Sequence, residues 1–381
     1  MERFARKLEF NRTMGANGVF NPNIKGEEKE SLSHIKRVPG TKPPFTLSQI
    51  KKAIPPHCFE RSLLRSFSYV VFDLLISSLL GYTAIAYFHL LPSHLAYIAW
   101  PIYWILQGCI LTGLWVIAHE CGHHAFSDYQ WVDDTPPPPS HKHREPRPRR
   151  SVRPEAQVPN PMVFHVPKQS TRRALGLAVK LLLGWPLYLT FNASGRPYDR
   201  FACHYDPYSP IYSDRERLHI YISDLGIFAT TFVLYRIAIT QGLAFVMSIY
   251  GVPLIFVNGF LVTITYLQHT HPSLPHYDST EWEWLRGALV TVDRDYGILN
   301  KVFHNIADTH VAHHLVATIP HYHAMEATIA IKPILGEYYQ FDSTPFYKAL
   351  WREAGECLYV EQDEKGVFGS GTSFNVSAIN I

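Results

Sequence analysis

Cysteine and charge are both scarce in this sequence. Its 381 residues include five cysteines and only 18% charged residues, against 47% hydrophobic ones. The cysteines form no Cys-x-x-Cys pair and imply no disulfide framework, which fits reduced thiols. The first forty residues are polar and charged, so no cleavable signal peptide is expected. A hydrophobic chain whose charges are concentrated in blocks is typical of a membrane protein.

Charge is missing above all from two long stretches. Between residues 66 and 118 there is no lysine or arginine, and Asp73 is the only formally charged residue. This length suffices for two membrane spans joined by a turn near residues 91–93. A second apolar pair is separated by Gln241-Gly242. The sequence therefore predicts an all-α, multi-pass membrane protein with two transmembrane helical hairpins. The predicted spans are residues 69–90, 95–118, 219–240 and 244–267.

Positive charge lies outside the hairpin turns. Thirteen lysines or arginines precede residue 66, whereas neither turn contains one. The positive-inside bias therefore predicts that both termini are cytosolic and that the turns are luminal. The remaining apolar stretch, residues 174–191, must then lie in the interface or enter and leave the membrane by the same side. We expect an interfacial helix there, and a full span is the alternative.

Two histidine clusters lie on either side of the second predicted hairpin in the sequence. The first reads His-Glu-Cys-Gly-His-His from residue 119, and the second reads His-Val-Ala-His-His from residue 310. Residues three and four apart share a helix face, so each cluster is expected to face its own metal ion. Together they offer more imidazoles than one tetrahedral zinc uses, which favours a two-metal site. The candidate ligands are His119, His123, His124, His310, His313 and His314.

The first cluster also matches a different chemistry. His119-Glu-Cys-Gly-His123 fits the His-Glu-x-x-His pattern of zinc peptidases, in which two histidines hold zinc and the glutamate activates water. Such an enzyme needs one further ligand, so three histidines in the second cluster would exceed its requirement. Two cytosolic metal sites at the ends of apolar segments favour oxygen chemistry on a lipid chain instead. A membrane zinc peptidase is kept as the lesser alternative.

Longer stretches around both clusters carry a family resemblance. The chain resembles the plant microsomal omega-6 (delta-12) oleate desaturases, which are membrane di-iron fatty acid desaturases. The resemblance extends over about residues 1–134 and 166–363. The matching stretches are residues 118–131, 192–199, 266–276, 293–297 and 308–315.

The resemblance implies a site, a reaction and a location. Both clusters would bind two irons in a cytosolic helical cap, and His269 or His271 would add a ligand. Electrons would come from NADH through cytochrome b5 and its reductase. The substrate would be an oleoyl chain on phosphatidylcholine, desaturated to linoleoyl in the endoplasmic reticulum membrane. Association with itself or with other desaturases would fit, and no nucleic acid partner is expected.

The same resemblance divides the chain into three regions. Residues 1–65 would form a cytosolic N-terminal region, residues 66–363 the membrane desaturase domain, and residues 364–381 a C-terminal tail. One segment of the desaturase domain departs from the family. Residues 135–165 are rich in proline and arginine, whereas the family carries a middle His-x-x-His-His box about there. Proline runs do not form helices, and this composition predicts disorder.

The missing box changes what we expect of the site. His141 and His143 are two residues apart, which does not place them on one helical face, and His165 is isolated. We hypothesise that Pro136–Pro139 is a His-Arg-Arg-His-His box translated out of frame, because CACCGCCGCCACCAC read from its third base encodes four prolines. Without three imidazoles, at least one iron would be poorly held. The chain as written is therefore expected to be inactive, or to act as a non-catalytic partner of intact desaturases.

Overall fold

The computed structural model describes residues 37–133, 169–278, 280–357, 359–364 and 367–371. The α-helices in these ranges are α1 (Leu47–Ala53), α2 (Leu63–Tyr87), α3 (Ser93–Gly122), α4 (Gln130–Asp133), α5 (Gln169–Phe191), α6 (Arg217–Gln241), α7 (Leu243–Val246), α8 (Val252–His269), α9 (Trp284–Ala288), α10 (Ile298–Val302), α11 (His310–Leu315), α12 (His321–Leu335) and α13 (Phe346–Glu356). The strands are β1 (His276–Tyr277), β2 (Asp293–Arg294), β3 (Phe341–Asp342), β4 (Tyr359–Glu364) and β5 (Val367–Gly371). The predicted disordered segment, residues 135–165, lies outside the described residues. Of the predicted C-terminal tail, residues 364–381, the structure describes residues 364 and 367–371, and the rest lies outside the described residues.

Five helical segments in the described ranges are long and apolar enough to cross a membrane. They are Leu63–Leu90, Ser93–Gly122, Ser170–Phe191, Arg217–Gln241 and Leu243–His269. Four of these coincide with the spans predicted from the lack of charge. The first and second of the five pack against each other, and α3 also packs against α8, so the first hairpin and the last long helix form one bundle.

A π-helical turn lies where α8 begins and is held by α3. Residues Met247–Gly251 form this turn, and Pro253, two residues after it, has no N–H to donate to the carbonyl of Ile249. The hydroxyl of Tyr103 donates to that carbonyl at 2.9 Å, and the indole of Trp104 donates to the preceding carbonyl at 2.8 Å. Backbone groups in lipid need internal partners, so these two side chains stabilise the irregular turn.

Helix α5 lies along α8 and runs in the opposite direction. Arg173, near its start, stacks over Trp351 of α13, and Lys180 lies over the ring of Tyr266. Further along, the side-chain oxygen of Asn258 accepts a hydrogen bond from the backbone N–H of Trp185 at 3.2 Å. This contact pattern is that of a helix packed lengthwise on α8. Such packing is closer to the full-span alternative than to a helix lying flat in the interface, and the placement of residues 174–191 in a membrane stays a prediction.

The segment after α8 folds back as a cap over the ends of α3 and α8. We define the cap as residues 270–357. Its apolar core is continuous with the N-terminal segment, because Ile50 and Cys58 are buried in the same cluster as Leu315 and Ile331. Residues of the N-terminal segment are thus packed against the cap, while the predicted boundary at residue 65 stays a prediction.

The cap and the strands that follow it form two small sheets, which an all-α fold did not include. Strands β2 and β3 pair in parallel, with Asp293 opposite Phe341, and β5 pairs antiparallel with both β1 and β4. The fold class is therefore mostly helical rather than all-α. Strands β1, β2 and β3 have two residues each, which is too few to show the period by which a strand is recognised in a sequence.

A buried ionic network anchors the cap to the end of α8. Arg294 of β2 is fully buried and pairs with Asp342 at 2.5 Å and Glu353 at 2.8 Å. Its guanidinium also donates to the carbonyls of Leu267 and Thr270. Leu267 lies in the last turn of α8 and Thr270 is the residue that caps it, so no further helical N–H is present to bond these carbonyls. The network therefore fixes the helix end that carries His269.

Candidate metal centre

The first group of imidazoles joins α3 to α11. His119 and His123 lie one turn apart near the end of α3, and His313 approaches them from α11. The Nε2 atom of His119 is 3.1 Å from that of His123 and 3.2 Å from that of His313. The ring of Trp115 stacks on His119, with centroids 5.2 Å apart. Three imidazole nitrogens thus converge on one point, which we call site 1.

The second group joins α11 to the end of α8. The Nε2 atom of His310 is 3.2 Å from the Nε2 atoms of both His269 and His314. His269 is the last residue of α8, so the network around Arg294 places it. We call this group site 2. In each site the ligand atoms lie within 4.8 Å of one another.

The two sites adjoin through α11, but the histidines divide differently from the prediction. His310, His313 and His314 were expected to share one ion, whereas the structure turns His313 toward His119 and His123. A helix advances about 100° per residue. Residue i+4 therefore lies about 40° from residue i around the helix axis, and residue i+3 lies about 60° from residue i in the opposite direction. His310 and His314 therefore stay together. The rings of His310 and His313 are 5.6 Å apart, centroid to centroid.

The electrostatics of the centre keep two of its imidazoles, His310 and His313, neutral. Burial, followed by the neighbouring His269, lowers the pKa of His310 well below its ordinary value. Burial and the rings of His123 and His119 do the same for the pKa of His313. The Nδ1–H of His310 donates to the carbonyl of Ile306 at 3.1 Å, which leaves its Nε2 lone pair facing site 2. Neutral, oriented imidazoles are the state that a metal ion binds.

The donor set fits two divalent metal ions of the imidazole-binding kind. Each site offers three nitrogens of one atom type, and the sites are neighbours on a single short helix. Imidazole suits iron, zinc, copper and nickel, and three protein ligands leave positions for exogenous groups. Such an arrangement can hold two metals side by side beneath the cap.

Two of the predicted ligands are placed elsewhere. His124 follows the end of α3 with a φ of 55°, and its Nδ1 lies 3.5 Å from Asp133 rather than in site 1. His271 is buried, with Nδ1 2.6 Å from the Ser273 hydroxyl and Nε2 3.5 Å from Asp342. Of the two candidates after the last span, the structure brings His269 into the centre. The helix ends before His124 and before His271, so neither follows the periodicity that groups the others.

Glu120 does not lie where a peptidase needs it. Its carboxylate accepts a hydrogen bond from Nδ1 of His321 at 2.7 Å, and both side chains are buried. Every His-Glu-x-x-His helix has this spacing, so the discriminating observation is that His321, which is not part of site 1, engages the carboxylate. A glutamate engaged by a histidine outside site 1 disfavours the zinc peptidase alternative.

A second buried pair was not predicted as part of the site. Asp73, the only charge in the first hairpin, accepts a hydrogen bond from Nε2 of His304 at 2.8 Å. The rings of His304 and His321 are 4.8 Å apart, and both residues line a small cavity beside His313. A charge inside an apolar span is costly without a partner, so Asp73 itself was the available signal. Its partner His304 lies 231 positions away, and no sequence pattern identifies it as a partner of Asp73.

The candidate substitutes for the missing box, His141, His143 and His165, lie outside the described residues. Sites 1 and 2 are therefore built entirely from the two clusters and His269, six imidazoles in all within the described ranges. The prediction that these three histidines do not replace the box stays a prediction.

Comparisons with known proteins place the chain in a family. A family model described as fatty acid desaturase matches residues 140–345. A delta(12)-fatty-acid desaturase of Vernicia fordii is 63% identical over 390 aligned residues, which cover 95% of this chain and 100% of that protein. The chain belongs to the fatty acid desaturase family. It is thus a member of a family of enzymes, and the family resemblance inferred from its motifs is confirmed.

Other relatives show how closely different reactions are related. An endoplasmic reticulum omega-6 fatty acid desaturase of Glycine max is 61% identical, covering 93% of this chain and 97% of that protein. An oleoyl-12-hydroxylase of Ricinus communis is 63% identical, covering 88% of this chain and 93% of that protein. A second model, described as a domain of unknown function, matches residues 15–82. Identity of this level therefore defines the family without separating desaturation from hydroxylation.

Proposed function

We propose that this desaturase acts on a lipid-linked oleoyl chain at the delta-12 (omega-6) position, using two irons held by sites 1 and 2. The observation that carries the proposal is the pair of adjoining three-imidazole sites at the ends of apolar helices. The names of the most similar plant relatives support the position of the new double bond. Bound iron would supply, with dioxygen, the oxidising power that unactivated C–H bonds require and side chains lack.

The chain's own residues prepare this site for metal. His119, His123 and His313 would hold one iron, and His269, His310 and His314 the other. Burial keeps His310 and His313 uncharged, and the Ile306 carbonyl orients the His310 ring. The Arg294 network holds the end of α8, and hence His269, against the cap. His124 is kept as a further candidate ligand for site 1, because it adjoins His123.

The proposed setting is the endoplasmic reticulum membrane, with the cap and both termini cytosolic. The name of the Glycine max relative and the apolar helices support this placement. An even number of crossings must separate the two clusters, because they meet in one centre. If α6 and the Leu243–His269 segment span the membrane, α5 must enter and leave by the cytosolic side. We propose NADH, through cytochrome b5 and its reductase, as the electron source.

The missing middle box sets a limit on activity. The three imidazoles that the resemblance leads us to expect between Asp134 and Val166 do not occur there as a His-x-x-His-His motif. Six ligands for two irons leave each iron with three, so loss of metal should be fast compared with a fully ligated site. We therefore propose that the chain as written desaturates weakly or not at all. A non-catalytic desaturase-like protein is the second candidate, favoured by this same absence.

Expression in yeast, which makes oleate but no linoleate, tests both parts of the proposal. Four chains are compared: the sequence as written, a chain with residues 135–165 replaced by a segment carrying His-x-x-His-His, and that restored chain with either His310→Gln or His89→Gln. His89 is exposed in the turn between α2 and α3 and serves as the matched control. Fatty acid profiles and protein abundance are measured for each.

We expect linoleate from the restored chain and from its His89→Gln variant, at least ~10-fold less from the chain as written, and none from His310→Gln. Equal linoleate from the written and restored chains would show that the missing box is not needed. A hydroxylated acyl product would show that the chain catalyses hydroxylation, the reaction named for the Ricinus communis relative, instead of desaturation. No product from an abundant restored chain would refute the proposed activity. Sequencing the transcript across codons 130–170 tests the reading-frame hypothesis directly.

A further inference from the structure

A third cluster of metal-ligating side chains lies away from sites 1 and 2. It joins the 3₁₀ turn Pro56–Phe59, which precedes α2, to the first turns of α12. Its members are His57 and Cys58 on the turn and His323 and Glu326 on the helix. One ligand atom from each lies within 4.8 Å of every other. Two imidazoles, a thiol and a carboxylate from separate segments therefore meet at one point.

The local structure brings these four donors together. His323 and Glu326 are three residues apart on α12 and so share one face of the helix. Across the gap, Nε2 of His57 lies 2.9 Å from the Glu326 carboxylate and 3.8 Å from the Cys58 sulfur. The rings of His57 and His323 are 5.5 Å apart and nearly perpendicular. Cys58 is fully buried in the cap core, while His57 and Glu326 are half exposed, so an ion can enter from solvent.

We propose that His57, Cys58, His323 and Glu326 form a binding site for a zinc-like divalent cation, separate from the di-iron centre. Four ligands of these types match the number and chemistry of structural zinc sites, in which thiolate, imidazole and carboxylate are all used. The mixed set with a thiolate favours a borderline-soft ion over magnesium or calcium. The bound ion would tie the chain entering α2 to α12 and so clamp the N-terminal segment on the cap.

The charges around the cluster are compatible with a cation. Glu326 and Glu60 are the acidic groups near His323, and Arg65 is the basic one, with its guanidinium over the ring of Tyr322. Burial, followed by Arg65 and His57, lowers the pKa of His323, so its imidazole is neutral. Burial and the Glu326 carboxylate raise the pKa of the Cys58 thiol to about 11. A bound divalent ion reverses this effect, because a coordinated thiol loses its proton.

Cobalt(II) replaces zinc in such sites and reports a thiolate ligand by a sulfur-to-metal charge-transfer absorption. The full-length chain, purified in detergent and freed of metal, is titrated with cobalt(II), and its zinc content is measured before metal removal. The variants are Cys58→Ser, His323→Gln and Glu326→Gln, and the control is Cys203→Ser, a half-buried cysteine whose sulfur contacts the Leu189 carbonyl. Neither site 1 nor site 2 contains cysteine, so the absorption belongs to the third cluster alone.

We expect wild type and Cys203→Ser to show the charge-transfer band and one more zinc per chain than Cys58→Ser. The band should be lost in Cys58→Ser, and cobalt affinity should fall at least ~10-fold in His323→Gln and Glu326→Gln. Glu326 is half exposed, so its variant tests the site even if Cys58→Ser does not fold. A wild-type chain without the band, or a band that persists in Cys58→Ser, would overturn the proposal.

Discussion

Replacing Arg294 by methionine is the sharpest test of how the cap positions the metal centre. The side chain is fully buried, pairs with Asp342 and Glu353, and donates to the carbonyls of Leu267 and Thr270. Methionine has a similar volume and no charge, so it removes all four interactions without opening a large cavity. Arg352 remains near both carboxylates, at 2.5 and 2.7 Å, and offsets part of the loss.

The expected magnitude follows from burial. Removing one partner of a buried ion pair destabilises a protein by about 3–5 kcal/mol, because the other charge stays buried without compensation. With Arg352 still present, we expect the lower part of this range. Typical folding free energies are about 5–15 kcal/mol, so the loss is large enough to measure. The last turn of α8 should also fray, since two of its carbonyls lose their donors.

The assay combines unfolding in detergent by denaturant titration with amide hydrogen exchange. Exchange should rise in residues 265–271 of the variant, at the end of the helix that carries His269. The control is Lys42→Met, which breaks the exposed Lys42–Glu283 pair and should change the unfolding free energy by at most about 1 kcal/mol. A loss below ~1 kcal/mol for Arg294→Met, with unchanged exchange at residues 265–271, would refute the argued role of the network.

Two further predictions concern pH and helix packing. Hydrogen bonds from His271 and Thr344 and the charge of Arg294 hold the pKa of Asp342 below its ordinary value of 3.8, although burial opposes them. Because the pKa of Asp342 is lower in the folded than in the unfolded chain, Asp342 contributes stability above pH ~4, and this contribution is lost as the pH falls further. The difference in unfolding free energy between wild type and Asp342→Asn should therefore shrink between pH 7 and pH 3. At Gly108, an added Cβ would collide with the Cβ of Phe256 in α8, so Gly108→Ala should destabilise the bundle by about 1–3 kcal/mol in the same unfolding assay. Gly226→Ala in α6 has open space around it and is the control; equal stability losses for the two would contradict the close approach of α3 and α8.

The composition of the sequence predicted the general architecture, the histidine spacings predicted a metal centre, and the longer stretches around the clusters carried the family resemblance. Apolar stretches without lysine or arginine predict spans because an unpaired charge in lipid is costly, and four of the five long apolar segments were found this way. The histidine clusters were recognisable because helical neighbours three and four residues apart need no information from the rest of the chain. These are local properties. The missing middle box is likewise a property of the sequence alone.

Only the tertiary structure decided which imidazoles share a site. The angular spacing of α11 separates His313 from His310 and His314, but only the approach of α3 makes it a neighbour of His119. The choice of His269 over His271 depends on where α8 ends and on Arg294, which is 25 positions away from His269 in the chain. The pairs Asp73–His304 and Glu120–His321, and the third metal-ligating cluster, likewise join residues more than 200 positions apart. Short local patterns carry no record of such contacts, because each contact is determined by the packing of whole helices against one another.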